Sequence, residues 1–169
     1  RRFDIARGKA GKHGDTDLDG NGRIENAIKN FHENQSRETL ITVLEAIRQR
    51  SHEDGYFMIP VIPPEAMIKM FDIEHIKVGD TITCEEDMRF KLHHIQLKDG
   101  KQWLVAFTSQ AEFEKGAAVS TISNPISETL KGCRNMPEEG IIINPWGGRP
   151  FFLHKALIGL ILDADIPEI

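Results

Sequence analysis

The residue pattern nearest to a defined chemistry is Asp17-Leu18-Asp19-Gly20-Asn21-Gly22-Arg23-Ile24. It matches the first eight positions of an EF-hand calcium loop. Asp17, Asp19 and Asn21 supply oxygens at positions 1, 3 and 5, Gly22 stands at the sharp turn, the Arg23 carbonyl falls at position 7 and an apolar residue follows. Position 12, where a bidentate carboxylate completes the sphere, is Ile28, and Glu25 is the nearby substitute. Calcium binding no tighter than about the millimolar end of known sites is the expectation. The simpler reading is a polar Asx turn that caps a helix starting at Ile24.

A second candidate is Asn144-Pro145-Trp146-Gly147-Gly148-Arg149-Pro150. A strand running into paired glycines ahead of a helix can cradle an anion on free backbone N–H groups, with Arg149 as counter-charge. The spacing matches neither phosphate-binding fingerprint. The plainer reading has Asn144 closing a turn on its own backbone while Trp146 packs on the core. If this surface recognises a partner, Trp146, Arg149 and Trp103 are the residue types that anchor interfaces. His93 and His94 are adjacent, so on a strand they point to opposite faces, and they ligate one metal, with Cys84 upstream, only if a bulge turns one of them. A Cys133–His154 nucleophilic pair has no supporting spacing, and Lys131 and Arg134 lower the Cys133 pKa only modestly.

These residues sit on a legible series of elements. Ile24, Ala27, Ile28 and Phe31 form one helical stripe, and Leu40, Val43, Leu44 and Ile47 form a second behind the N-cap candidate Ser36. Tyr56 to Ile62 is an apolar strand stopped by Pro63-Pro64. A one-turn helix over 65–71 and a short hairpin over 73–83 are weaker expectations. Met88–Leu97 and Gln102–Thr108 flank Lys98-Asp99-Gly100-Lys101, which predicts a hairpin with a type I′ turn and, from the shifted apolar phase, a bulge at His93-His94. Ser109 to Glu112 has capping-box spacing. Asn124-Pro125 is read as the start of a helix ending at Gly132, Gly140–Asn144 as a strand, and Phe151–Asp163 as a helix apolar around most of its circumference. Such a helix must be wrapped by the sheet or by another subunit.

The chain has 169 residues and a net charge of −5, with five cations against Asp4 alone in the first 14 residues. Residues 1–22 read as a mobile basic tail with the degenerate loop, and 23–169 as one domain. The acidic body argues against a nucleic-acid surface, and no apolar run reaches the roughly 20 residues of a membrane span. Two cysteines, Cys84 and Cys133, suit a reducing cytoplasm. The start Arg1-Arg2-Phe3 has no initiator Met and no leader pattern, which suits a fragment and leaves a removed leader compatible.

Taken in order, Phe57-Met58-Ile59-Pro60-Val61, Leu104-Val105-Ala106-Phe107-Thr108-Ser109, Gly140-Ile141-Ile142-Ile143-Asn144-Pro145-Trp146 and the final apolar stretch give a chain that resembles the N-terminal domain of the SseB family, named for enhanced serine sensitivity. The resemblance covers about Ile24 to Leu162. It implies a fold and brings no activity, cofactor or catalytic residue with it. The stretch from Pro63 to Asp87 reads as an insertion, and the second domain of longer members is not recognised.

The expectation is an α+β domain with a mostly antiparallel central sheet of four to six strands, in which the segments around Ile59, Phe107 and Ile142 are neighbours. Two N-terminal helices and one apolar C-terminal helix pack on it. The expected role is a cytoplasmic, non-enzymatic module that binds an unidentified protein or regulates it, with a homodimer through the last helix as an option. The alternatives are a weak calcium module at Asp17–Ile24 and an anion-binding or enzymatic site at Asn144–Arg149.

Overall fold

A computed structural model describes residues 2–5, 18–62, 81–83, 91–116 and 119–163. A 3₁₀ turn (Asp19–Asn21) runs directly into α1 (Gly22–Glu33), which buries Ile24, Ala27 and Ile28 as its spacing requires. α2 (Arg37–His52) begins at a reciprocal cap. Ser36 Oγ accepts from the Thr39 N–H at 3.1 Å, and Thr39 Oγ1 accepts from the Ser36 N–H at 3.0 Å. Val43, Leu44 and Ile47 are buried along one stripe, and the next position on it, Arg50, is buried too.

The strands are β1 (Arg2–Ile5), β2 (Tyr56–Ile62), β3 (Thr81–Thr83), β4 (Lys91–Leu92), β5 (His94–Gln96), β6 (Gln102–Ala106), β7 (Ser120–Pro125), β8 (Gly140–Ile143) and β9 (Phe151–His154). The remaining helices are α3 (Gln110–Phe113), α4 (Ile126–Arg134) and α5 (Lys155–Leu162). The chain is α+β, but the strands divide into two sheets where a single one was expected. The first has the order β3-β1-β7-β2-β4 and the second β5-β6-β8-β9. Among the described residues only β6 and β8 pair in parallel. Ile59 therefore lies in one sheet and Ile142 in the other. The two sheets are joined where Met58 and Phe107 exchange N–H···O bonds of 3.0 and 2.9 Å.

Several local expectations are corrected by tertiary pairing. Arg2–Ile5, read as part of a solvated tail, forms β1 between β3 and β7. Ser120–Pro125 is a strand and not a helix start. It pairs with six residues of β2, whose residues Phe57 to Val61 are all buried and whose backbone must find partners on both sides. α4 accordingly begins at Ile126, with Pro125 at the cap, and runs past Gly132 to Arg134. The shifted apolar phase at His93 marks a chain crossing in place of a simple bulge. β4 pairs with β2 in the first sheet, the His93 N–H donates to Pro60 O at 3.1 Å, and β5 then joins β6 in the second.

The hairpin is present, but its turn is not type I′. The Gly100 N–H donates to Leu97 O and the Leu97 N–H to Lys101 O, both at 2.9 Å. Of the turn residues only Gly100 has a positive φ, +84°, the geometry of a three-residue loop with a left-handed glycine. Phe151–His154 is likewise a strand, alternately buried and exposed, and α5 starts only at Lys155. The continuous apolar letters concealed the period of two at their start. The expected turn of helix at 65–71 and most of the hairpin at 73–83 lie outside the described residues.

One core cluster packs α1, α2, α4 and α5 on the inner faces of the sheets, and it includes the partly buried Leu157, Leu160 and Leu162. The apolar C-terminal helix thus finds cover from α2 and α4 within its own chain. A smaller cluster gathers Leu18, Met58, Val105, Phe107 and Phe113, with Trp146 against it. None of the helices among the described residues is long and apolar enough to cross a membrane.

Candidate functional site

The strands β6 and β8 end side by side, and the polar residue after each is buried. Asn144 takes a left-handed φ of +54°. Its side chain does not close a turn on its own backbone. Oδ1 accepts from the Thr108 N–H at 3.0 Å and Nδ2 donates to Thr108 Oγ1 at 2.9 Å. Thr108 and Ser109 in turn donate their hydroxyls to Glu25 Oε2, at 2.7 and 3.0 Å. Ser109 Oγ also accepts from the Glu112 N–H and so caps α3.

On its other side Thr108 meets the start of α1. Asn21 Nδ2 donates to the carbonyls of Thr108 and Tyr56, at 3.0 and 2.7 Å, and Asn21 Oδ1 accepts from Arg50 Nε at 2.9 Å. Arg50 also pairs with Glu53 at 3.2 Å, and Arg23 binds the same carboxylate oxygen. These two guanidinium groups hold the Glu53 carboxyl below its ordinary value. Gly20 and Gly55 lie so close to the Arg50 guanidinium that a Cβ on either would collide with it. One hydrogen-bonded chain therefore runs from Asn144 through Thr108, Asn21 and Arg50 to Glu53. It ties the ends of β6 and β8 to α1, α2 and β2.

The described residues of the calcium-loop pattern are engaged in other ways. Gly22, assigned to the sharp turn, has a helical φ of −54°. The Asn21 oxygen that would face calcium already faces a cation, Arg50, and Arg23 belongs to the first turn of α1. Nor does Asn21 cap that helix with its side chain, which corrects the Asx-turn reading. Asp17 lies outside the described residues. Among the described residues no cluster of three His, Cys, Asp or Glu side chains is placed to hold a metal.

Asn144 and Arg149 do share a groove of about 230 Å³, together with Glu25, Lys29, Ser109 and Glu112. Trp146 turns away from it. Its ring lies tilted against Phe107 at 5.0 Å and Phe113 at 6.3 Å. Trp103 is elsewhere, on the outer face of the second sheet, edge-on to Phe152 at 5.4 Å and to His154 at 5.9 Å. The indole N–H of Trp103 is buried and has no hydrogen-bond partner among the described residues, and the adjoining Phe152 is 44% exposed. Among the described residues β9, which carries Phe152, is an edge strand of that sheet.

The remaining candidates are not brought together. His154 lies 3.6 Å from Glu139 on the second sheet, whereas Cys133 is buried in α4. Burial raises the Cys133 thiol to about 11, reversing the expected lowering, so it is a poor nucleophile. His94 Nδ1 approaches Glu138 at 3.9 Å, and Cys84 lies outside the described residues. Sequence reading missed the buried chain of polar residues altogether. One signal was available, since Arg50 falls on the Val43–Ile47 stripe, where an exposed arginine is out of phase.

A family model, that of the SseB protein N-terminal domain, matches residues 24–159. No curated protein and no solved structure matches the chain.

Proposed function

The chain belongs to the SseB family, and from that premise we propose that it is a non-enzymatic module that recognises an extended segment of a protein partner along β9. The observation that carries this reading is the exposed Phe152 on what is, among the described residues, an edge strand, beside a Trp103 indole N–H that none of those residues accepts from. A strand edge offers backbone N–H and C=O groups to an incoming strand, and an aromatic next to it supplies a pocket for alternate side chains. The register pairs Ile95 with Trp103 and Gly140 with His154, so these side chains belong to the face that presents Phe152. A Cβ at Gly140 would stand 2.9 Å from Trp103 Cζ3, which makes room for the indole to lie across the sheet.

Peptides selected from a random display library against the whole chain test this. The expected result is that bound peptides protect the amides of residues 151–154 from hydrogen exchange, and that Phe152→Asp weakens them at least about tenfold. Peptides that protect other strands, or that bind Phe152→Asp equally well, overturn it.

One observation favours a second reading, a small-anion site. Arg149 and Lys29 border the 230 Å³ groove. Two carboxylates, Glu25 and Glu112, border it as well, and Glu25 already accepts two hydroxyls, which weighs against an anion there. Calorimetric titration with inorganic phosphate, with Arg149→Ala as control, decides between them.

A further inference from the structure

Where the chain crosses between sheets at His93, the sheets part and leave a cavity of about 220 Å³ against α4. Its inner lining is apolar and buried: Ile59, Leu104, Ile122 and Ile141, with Cys133 from α4. Its polar lining is gathered where exposure rises. His93 and Asn124 are partly exposed there and Glu128 is exposed. Asn124 directs its amide N–H to Thr129 Oγ1 at 2.8 Å, and Thr129 donates to Pro125 O, so the mouth is rigidly built.

Two features distinguish this space from an ordinary packing gap. Native interiors contain few voids larger than a water molecule. Gly132 also lines the cavity, and a Cβ on it would meet nothing within 4 Å. Glycine is the poorest helix former after proline. Here no neighbour excludes a side chain, so the glycine keeps the space open without being required by the packing.

We infer that this cavity is a binding site for a small molecule made of one aromatic ring and a short cationic or hydrogen-bond-donating head. A dry apolar cavity of roughly 150 Å³ takes a benzene ring, so this one takes a ring with a short substituent. The head group faces the Glu128 carboxylate and the His93 ring, in a chain of net charge −5, which favours a cation and disfavours an anion. The site is on a different surface from β9, and neither reading depends on the other.

Phenethylamine and 3-phenylpropanoate share the ring and differ in the sign of the head. The test measures, in the full chain, the rate at which methyl methanethiosulfonate modifies Cys133, followed on its own peptide by mass spectrometry so that Cys84 can stay in place. At about ten times its dissociation constant, phenethylamine slows that reaction roughly tenfold and raises the melting temperature, while 3-phenylpropanoate does neither. Gly132→Leu, which fills the space from α4, and Ile122→Phe, which fills it from β7, each abolish the protection while the chain keeps a cooperative melt. The inference falls if neither compound protects Cys133, if the anion protects as well as the cation, or if a folded filling variant is still protected.

Discussion

The chain of buried polar residues at the ends of β6 and β8 and the outer face of the second sheet both carry residues that sequence reading would nominate for function, yet they differ in one physical respect. In the first region the buried side chains Asn21, Arg50, Thr108 and Asn144 satisfy one another across four elements. In the second, Trp103 has a buried donor with no acceptor among the described residues and Phe152 has an exposed ring. A fully satisfied network fixes one packing arrangement, whereas an unsatisfied donor beside an exposed apolar ring leaves capacity for a partner. Motif similarity draws attention to Asp19, Asn21 and Asn144, whereas an exposed ring on an edge strand shifts it to β9.

The contrast is broken most forcefully by removing Asn21. Asn21→Leu removes the acceptor of Arg50 Nε and the donor to one buried and one partly buried carbonyl, and should cost about 3–4 kcal/mol in urea unfolding. A loss near zero would show the network to be incidental. Next in size is an alkaline effect at Cys133. Burial raises its thiol to about 11 from 9.0, while Lys155 opposes and Glu138 adds to the shift. The unfolded chain therefore releases this proton first, so its contribution is whole below pH 9 and is lost as pH climbs towards 11. The loss should reach roughly 2.7 kcal/mol, and Cys133→Val should lack it.

A smaller stability effect sharpens the other side of the comparison. Phe152→Ser should change unfolding stability by less than about 0.5 kcal/mol, because its ring is already partly in water. If it destabilises as a core residue does, β9 is structural. Least of all is the acid response of Glu53, which lies near the surface. Its pKa is lowered, so its stabilisation is present above the ordinary value of 4.5 and fades as pH falls through the depressed one. Melting temperatures taken downward from neutral pH should fall slightly further for the wild type than for Glu53→Gln.

Elements that rest on local signals were legible in the sequence. The Ser36 cap, the α1 and α2 stripes, β2 and β8 all stand where spacing puts them. Elements defined by a distant partner were not. Nothing in Ser-Thr-Ile-Ser-Asn-Pro marks β7 as a strand until β2 lies beside it, and the same holds for the separation of β4 from β5. The candidate site follows the same division. Asn144 and Arg149 do share a groove, but Trp146 and Trp103 face elsewhere, and no local pattern announces that Arg50 meets Asn21 across 29 residues.

The position of β7 sets an order on how this chain becomes a protein. β2 is finished at Ile62, but its long neighbour in the sheet is not made until residue 125, and the parallel partner of β6 comes only at Gly140. A chain leaving the ribosome can coil α1 and α2 early, yet the side of β2 that β7 covers stays bare until the 63 residues after Ile62 have followed. Throughout that interval Phe57 to Val61, buried in the finished fold, lack the neighbour that shields them.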